Sequence, residues 1–209
     1  MALDISEALR YLGVTGVPDD NLSVQLTGLA RELEERITPR FRWTLANVSD
    51  LALPGQTAAR MLADCRQAAV LVCTLGAAFD LWMRREQQRD MTRAALLDAL
   101  GSVYVEAACD VAEREILVRF PGMYLTDRFS PGYGDLPLTV QPALMALAGA
   151  GHIGVTLTDS LLMNPQKSVT ALIGIAEKPQ PARIRGCRFC AMKDHCQYRK
   201  GGTTCHVST

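Results

Sequence analysis

Ala68-Ala-Val-Leu-Val-Cys-Thr-Leu75, followed by Gly76-Ala-Ala-Phe-Asp80, is the stretch whose reading decides the fold. Eight apolar or small residues in a row, β-branched in part and closed by glycine, have the length and composition of a strand buried on both sides. A strand of this kind in a nucleotide-binding doubly wound fold is followed by a glycine-rich turn that lets the backbone approach a pyrophosphate. Here Gly76 stands without the second and third glycines of that fingerprint. The strand therefore belongs to an α+β protein with a mostly antiparallel central sheet and flanking helices.

Outward from it, Phe41–Val48 reads as a preceding strand, bracketed by Pro39 and Pro54, and Gln56–Cys65 as a helix between the two. On the N-terminal side, Asp4–Leu12 reads as a short helix. A second helix, capped by Asn21 or Ser23, carries Leu22, Leu26, Leu29, Leu33 and Ile37 on one face. On the C-terminal side come a helix over Phe79–Arg89 and a long one that Thr92 would cap and that runs to about Arg119. Thr139–Ala148 reads as a helix, and Ile153–Thr158 and Val169–Ala176 as strands. Between them lies Tyr124-Leu-Thr-Asp-Arg-Phe-Ser-Pro-Gly-Tyr-Gly-Asp-Leu-Pro137, which has no helical period and reads as a long loop. Long loops inside compact domains often carry function.

The chain has 209 residues with 22 basic and 22 acidic side chains, so no global field recruits nucleic acid or a membrane surface. The uncharged apolar stretches Ala68–Phe79 and Pro142–Leu157 are too short or too broken to span a bilayer. The charged start Met1-Ala-Leu-Asp-Ile-Ser-Glu7 is unlike a secretory signal, and a cytoplasmic protein is expected. The charge is unevenly placed. Lys178, Arg183, Arg185, Arg188, Lys193, Arg199 and Lys200 stand against one acid, Asp194, within residues 178–200. Pro179 and Pro181 mark a linker, which divides the chain into an α+β domain over 1–178 and a tail over 179–209.

That tail holds Cys187-x2-Cys190-x5-Cys196-x8-Cys205. Four thiolates at this spacing, in a basic segment that lowers their pKa values, suit one metal centre in a reducing compartment. A single Cys-x2-Cys knuckle followed by longer spacings is similar to the ligation of auxiliary [4Fe–4S] clusters, with zinc as the alternative. Cys65, Cys73 and Cys109 stand singly in apolar surroundings and read as small core residues.

Two further features carry chemistry. In Arg128-Phe-Ser-Pro-Gly-Tyr133, Pro131 fixes φ and Gly132 allows positive φ, so Ser130–Tyr133 should form a tight turn. Arg128 offers a planar fork to a carboxylate, and Tyr133 a ring face or hydroxyl. Read by itself, the segment is more simply a structural loop with Arg128 ion-paired at the surface. Glu106 sits at the border of the long helix's core stripe, either a solvated flank or a group aimed into a pocket.

Arg128-x-x-Pro-Gly-Tyr133, followed by Leu157-Thr-Asp-Ser160 and Pro165-x-x-Ser168-Val169, resembles the C-terminal activation domain of cobalamin-dependent methionine synthase. Val105-Glu-Ala-Ala108 resembles the helix ahead of that loop. The likeness spans roughly residues 60–176 and is strongest toward free-standing versions of the domain. It implies S-adenosylmethionine binding, with Arg128 on the methionyl carboxylate and Glu106 facing the ligand's positive charge. The backbone at Ser130 and Gly132 would hold polar groups of the ligand, and Tyr133 would line the site. It further implies an accessory role without a complete active site of its own. The module would support reductive methylation of cob(II)alamin on a separate cobalamin-binding methyltransferase, with a flavodoxin or ferredoxin-type electron donor. Methyl transfer from a sulfonium depends on position more than on acid–base catalysis, and no general base is evident.

The family's fused members carry a Tyr-x-Trp-Asp type segment ahead of the core, with an acid that touches the ligand. This sequence shows no counterpart, and none of the cobalamin-binding Asp-x-His-x-x-Gly signature. Two other functions fit parts of the chain. An iron–sulfur electron-transfer or redox-sensing protein would use the cysteine tail with the Arg-to-Tyr loop merely packing. A zinc-stapled nucleic-acid binder would use the basic segment, which lacks interleaved stacking aromatics.

Overall fold

A computed structural model of the chain describes residues 3–14 and 17–180. It is an α+β structure, as the sequence predicts. The strands β1 (Arg40–Asn47), β2 (Cys65–Thr74), β3 (Tyr124–Leu125) and β6 (Ser168–Ala176) form one sheet in the order β1-β2-β6-β3, antiparallel throughout. A separate two-stranded ribbon pairs β4 (Thr156–Leu157) with β5 (Met163–Asn164).

β2 reads as a continuous apolar run because helices cover both faces of the sheet. Alternate residues point to opposite sides. Ala69, Leu71 and Cys73, with Ile173 and Ile175 of β6, meet the helices α1 (Ile5–Tyr11), α2 (Asp20–Arg36), α4 (Ala77–Arg89) and α5 (Met91–Arg119). Val70, Val72 and Leu172 meet α3 (Gln56–Met61), α6 (Gln141–Ala148) and the loop residues Phe129 and Leu136. Residues 68–75 are all buried.

α5 is buried over much of its circumference because α1, α2, α4 and the sheet all pack on it. Its Leu97, Leu100, Cys109, Ala112 and Ile116 are fully buried. Gly101 faces Phe79 of α4 so closely that the two helices touch there.

Several boundaries differ from the sequence expectation for local reasons. Asp19 caps α2 in place of Asn21 or Ser23, its carboxylate accepting from the Asn21 N–H at 3.0 Å. Asp90 caps α5 in place of Thr92, accepting from the Arg93 N–H at 3.0 Å. An aspartate one residue before the first turn satisfies the free N–H groups better than a residue inside it. α3 stops at Met61 because Cys65 already pairs with Ala176 in the sheet. The expected strand over Ile153–Thr158 is a correction. Gly149 and Gly154 take left-handed conformations on either side of a 3-10 turn over Ala150–Ile153, so only Thr156 and Leu157 remain extended. The segment read as a loop from Tyr124 in fact begins with the short edge strand β3. The boundary expected between residues 178 and 179 falls just past β6, and the tail from 181 onward, with Cys187, Cys190, Cys196 and Cys205, lies outside the described residues. Among the described residues no helix is long and apolar enough to cross a membrane.

Candidate functional site

The path of the chain after β3 explains how Arg128 is aimed. The Thr126 N–H donates to the Gly174 C=O at 3.0 Å, and Phe129 and Leu172 exchange two backbone hydrogen bonds at 2.9 and 2.8 Å. This keeps residues 124–129 extended along the edge of β6. Phe129 enters the core on the α6 side of the sheet, where it is 1% exposed. Its neighbour Arg128 therefore projects to the other side, onto α5.

α5 meets it with three carboxylates. Glu106, Asp110 and Glu113 recur at spacings of four and three residues, so they share one helix face. Arg128 Nη2 donates to Glu106 Oε2 at 2.8 Å, while Nη1 donates to Asp110 Oδ1 at 2.6 Å and Glu113 Oε1 at 3.0 Å. The arginine side chain is 12% exposed, whereas Asp110 and Glu106 remain 52% and 44% exposed. Burial opposes the guanidinium's charge, but Glu113, Glu106 and the other neighbours outweigh it and hold Arg128 more firmly protonated than usual. Three acids around one arginine leave the site with a surplus of two negative charges.

The turn after it forms as the sequence predicts. Pro131 and Gly132 occupy the central positions, Gly132 has φ +90°, and the Tyr133 N–H donates to the Ser130 C=O at 3.2 Å. A positive φ at the third residue with proline before it defines a type II turn. The Gly132 N–H donates to the Leu136 C=O at 2.9 Å, so that donor is engaged within the loop. Tyr133 is held at the tip, 64% exposed.

Asp135 anchors the far side of the loop. Its carboxylate oxygens accept from the Gln56 N–H at 2.7 Å and the Thr57 N–H at 3.0 Å, capping α3. The Thr57 hydroxyl first, and then these backbone groups, hold the Asp135 carboxyl below its ordinary 3.8. A carboxyl whose folded pKa is depressed contributes stability above its unfolded value, and that contribution is lost as pH falls below it. Asp135→Ala should accordingly unfold at lower urea than the parent protein at neutral pH. The gap should narrow below about pH 3.8, as denaturation midpoints across that range will show.

The remaining motif residues serve the frame. Thr158 Oγ1 lies 3.0 Å from Ser160 Oγ and accepts from the Leu162 N–H at 3.1 Å, closing the β4–β5 turn. The Ser168 hydroxyl contacts the Pro165 C=O at 2.7 Å and Thr74 Oγ1 at 2.8 Å, joining β6 to the end of β2.

Beneath the carboxylate cluster, Cys109 and Cys73 meet in the core, and Cys65 is buried elsewhere. A hydrogen bond to Cys73 and burial push the Cys109 thiol well above its ordinary range. Such thiols are poor nucleophiles at neutral pH. Iodoacetamide treatment of native protein, followed by peptide mapping, should leave Cys65, Cys73 and Cys109 unmodified until urea is added. Among the described residues no group of three or more His, Cys, Asp or Glu is placed to hold a metal ion.

The structure thus brings Arg128 and Glu106 into direct contact and holds Ser130, Gly132 and Tyr133 in one hydrogen-bonded turn that begins two residues after Arg128. Asp110 and Glu113 escaped the sequence analysis. Their spacing from Glu106 was a usable signal, but it gains meaning only once Arg128 is known to face that helix.

No family model matches the sequence, and no curated protein does. Among solved structures the chain is similar to the crystal structure of the MetH reactivation domain bound to AdoHcy, with 16% identity and a TM-score of 0.62. The alignment covers 97% of this chain and 82% of that one. The two share a fold. At this identity the likeness speaks for the architecture, and the chemistry must be argued from the side chains above.

Proposed function

We propose that this protein binds S-adenosylmethionine at the Arg128 cluster and acts as a reactivation module for a separate cobalamin-dependent methionine synthase or related corrinoid methyltransferase. The observation that carries this is Arg128, clamped by three acids of α5 beside the Pro131-Gly132 turn, on a fold similar to a domain whose crystal structure contains AdoHcy.

The residues present fit that ligand's charges. S-adenosylmethionine carries a carboxylate, an ammonium and a sulfonium, and so has a net positive charge to set against the acidic surplus. Its carboxylate would replace Asp110, the most exposed of the three acids, in the arginine fork. Glu106 and Glu113 would then stay beside Arg128 and face the ligand's cationic groups. Tyr133 would close the tip of the site, with the backbone of Ser130 and Gly132 beside it. The bound ligand supplies an activated methyl group; the protein's own part is to hold it in one orientation, which is the main requirement for transfer to a strong nucleophile.

The partner in this reading is a cobalamin-binding methyltransferase, with a flavodoxin or ferredoxin-type protein supplying the electron. The test is a reactivation assay. An inactive, oxidised corrinoid methyltransferase is mixed with a reductant and S-adenosylmethionine, with and without this protein, and the methylcobalamin spectrum is followed. Methylation that requires this protein supports the reading. Equal rates with and without it, across candidate partners, would remove the reactivation role.

A further inference from the structure

The side of the sheet away from Arg128 carries two arginines of its own. Phe41, Trp43 and Leu45 of β1 pack toward α5, while Ala46 packs toward α6. Arg40 and Arg42 share the alternation of Ala46 and so point to the α6 side. Both reach the 3-10 turn over Ala150–Ile153 that follows α6. A Cβ at Gly149, ahead of that turn, would stand 3.4 Å from Arg42 Nε and 3.7 Å from its Nη2. A Cβ at Gly154, behind it, would stand 3.8 Å from Arg40 Nη2. The two guanidinium groups thus flank one turn. Among the described residues neither is ion-paired. Arg42 Nε donates to the Ala148 C=O at 3.4 Å, a long bond that leaves the Nη groups of the fork unused. Capping α6 therefore accounts for little of Arg42 and for nothing of Arg40.

Beside the same turn lies an open cleft of about 390 Å³, lined in part by Met145, Gly149, Gly151, His152, Val155 and Leu157. Sites for small molecules begin at roughly 300 Å³. Met145 and Val155 are buried and Leu157 is half-buried, which gives the cleft an apolar wall. His152 gives it a polar one, since an imidazole can donate an N–H. The imidazole and the Arg42 fork meet over Gly149, whose absent Cβ would lie 3.0 Å from His152 Cδ2. Gly149 has φ +68°, so a larger residue there would be strained as well as obstructive.

We propose that Arg42 and His152 bind the phosphate of a small phosphomonoester, with Arg40 adding its charge from the far end of the turn. The ligand's apolar body lies along Met145, Val155 and Leu157. A phosphate monoester carries nearly two negative charges at neutral pH, matching the two unpaired arginines, whereas a carboxylate carries one. The arginine fork can hold two of its oxygens at once. This site is separate from the Arg128 cluster and does not depend on it.

The experiment is a calorimetric titration of phenyl phosphate into the full chain, beside inorganic phosphate and benzoate, repeated on Arg42→Ala and Arg40→Ala. Urea-unfolding midpoints matched to the parent establish that each variant is folded. The parent should bind phenyl phosphate saturably, and more tightly than inorganic phosphate, which lacks the apolar body, or benzoate, which has one charge. Loss of a charge-assisted contact predicts that Arg42→Ala weakens binding by about ten-fold or more. Arg40→Ala should weaken it by about two- to five-fold, the size of a screened charge interaction. If Arg42→Ala does not fold, Arg40→Ala decides, because Arg40 makes no side-chain hydrogen bond among the described residues. No saturable binding by the folded parent at millimolar phenyl phosphate overturns the site. Parent-like affinity in both variants overturns it too. Inorganic phosphate bound as tightly as phenyl phosphate would mean an adventitious ion only. S-adenosylmethionine binding should be the same in Arg42→Ala as in the parent, which keeps the two sites' tests apart.

Discussion

Arg128→Ala is expected to lower stability by about 2–4 kcal/mol and to remove S-adenosylmethionine binding together. Breaking a buried ion pair is costly because the partner left behind keeps its charge without compensation. Here three partners are left behind. Two of them, Glu106 and Asp110, are about half exposed and regain water, which keeps the cost toward the lower end of that range. Arg128→Lys should fall between the two proteins, since an ammonium lacks the planar fork that reaches Glu106 through one nitrogen and Asp110 and Glu113 through the other.

The salt dependence separates this mechanism from a simple packing loss. Without the arginine, the three carboxylates repel one another, and added salt screens that repulsion as it screens the ion pairs of the parent. The deficit of Arg128→Ala against the parent should therefore shrink as salt is raised. Urea titrations at several salt concentrations measure it. A deficit below about 0.5 kcal/mol, or one independent of salt, would show that the cluster is a loose surface arrangement.

Gly101→Ala is the second large effect, and it runs against helix propensity. Alanine in place of glycine inside α5 should by itself favour the helix by about 1 kcal/mol. A Cβ at this position would lie 2.4 Å from Phe79 Cζ, with two more ring carbons at 3.0 and 3.1 Å. Phe79 is 1% exposed, so its ring has no open space to move into. Overpacking of this kind costs about 1–3 kcal/mol, and α4 must shift outward from α5 to relieve it. The expected net loss is up to about 2 kcal/mol, the propensity gain having offset part of the clash. Phe79→Ala should cost more, about 3–5 kcal/mol, through the cavity it leaves. Combining Phe79→Leu with Gly101→Ala should recover part of the loss of the two single changes, because the smaller side chain makes room for the methyl group. Strict additivity in that double-mutant cycle would contradict the contact.

The sheet was legible because β2 announces itself: an apolar run of strand length with no phosphate-binding turn after it leaves few folds open. The two long helices were legible from their apolar stripes. The Pro131-Gly132 turn was legible too, since those residues restrict φ in a way few other pairs do. What escaped detection depends on distance along the chain. β3 is two residues long, and its pairing with Ile175 and Ala176 is set by the partner strand more than by Tyr124 or Leu125. The β4–β5 ribbon likewise takes its register from Gly154 and the turn at Thr158, so the apolar run from Ile153 suggested a longer strand than forms.

At the site, Arg128 and Glu106 stood out locally, but their contact did not. The sequence left Arg128 either as a surface ion-pair residue or as a ligand-binding one. The structure shows it ion-paired and largely buried, an arrangement that keeps a charged fork fixed beside an open turn. Asp110 and Glu113 look like the solvated flank of any long helix until a buried arginine is seen to cross them.

The most direct test is calorimetric titration of S-adenosylmethionine into the folded protein, beside Arg128→Ala and Asp110→Ala. The predicted result is saturable binding by the parent protein and none by Arg128→Ala. Binding should be retained or improved in Asp110→Ala, because removing that acid frees a position in the arginine fork for the ligand's carboxylate. A folded parent protein that binds no S-adenosylmethionine, or an Arg128→Ala variant that binds it as well as the parent does, would contradict the proposed site.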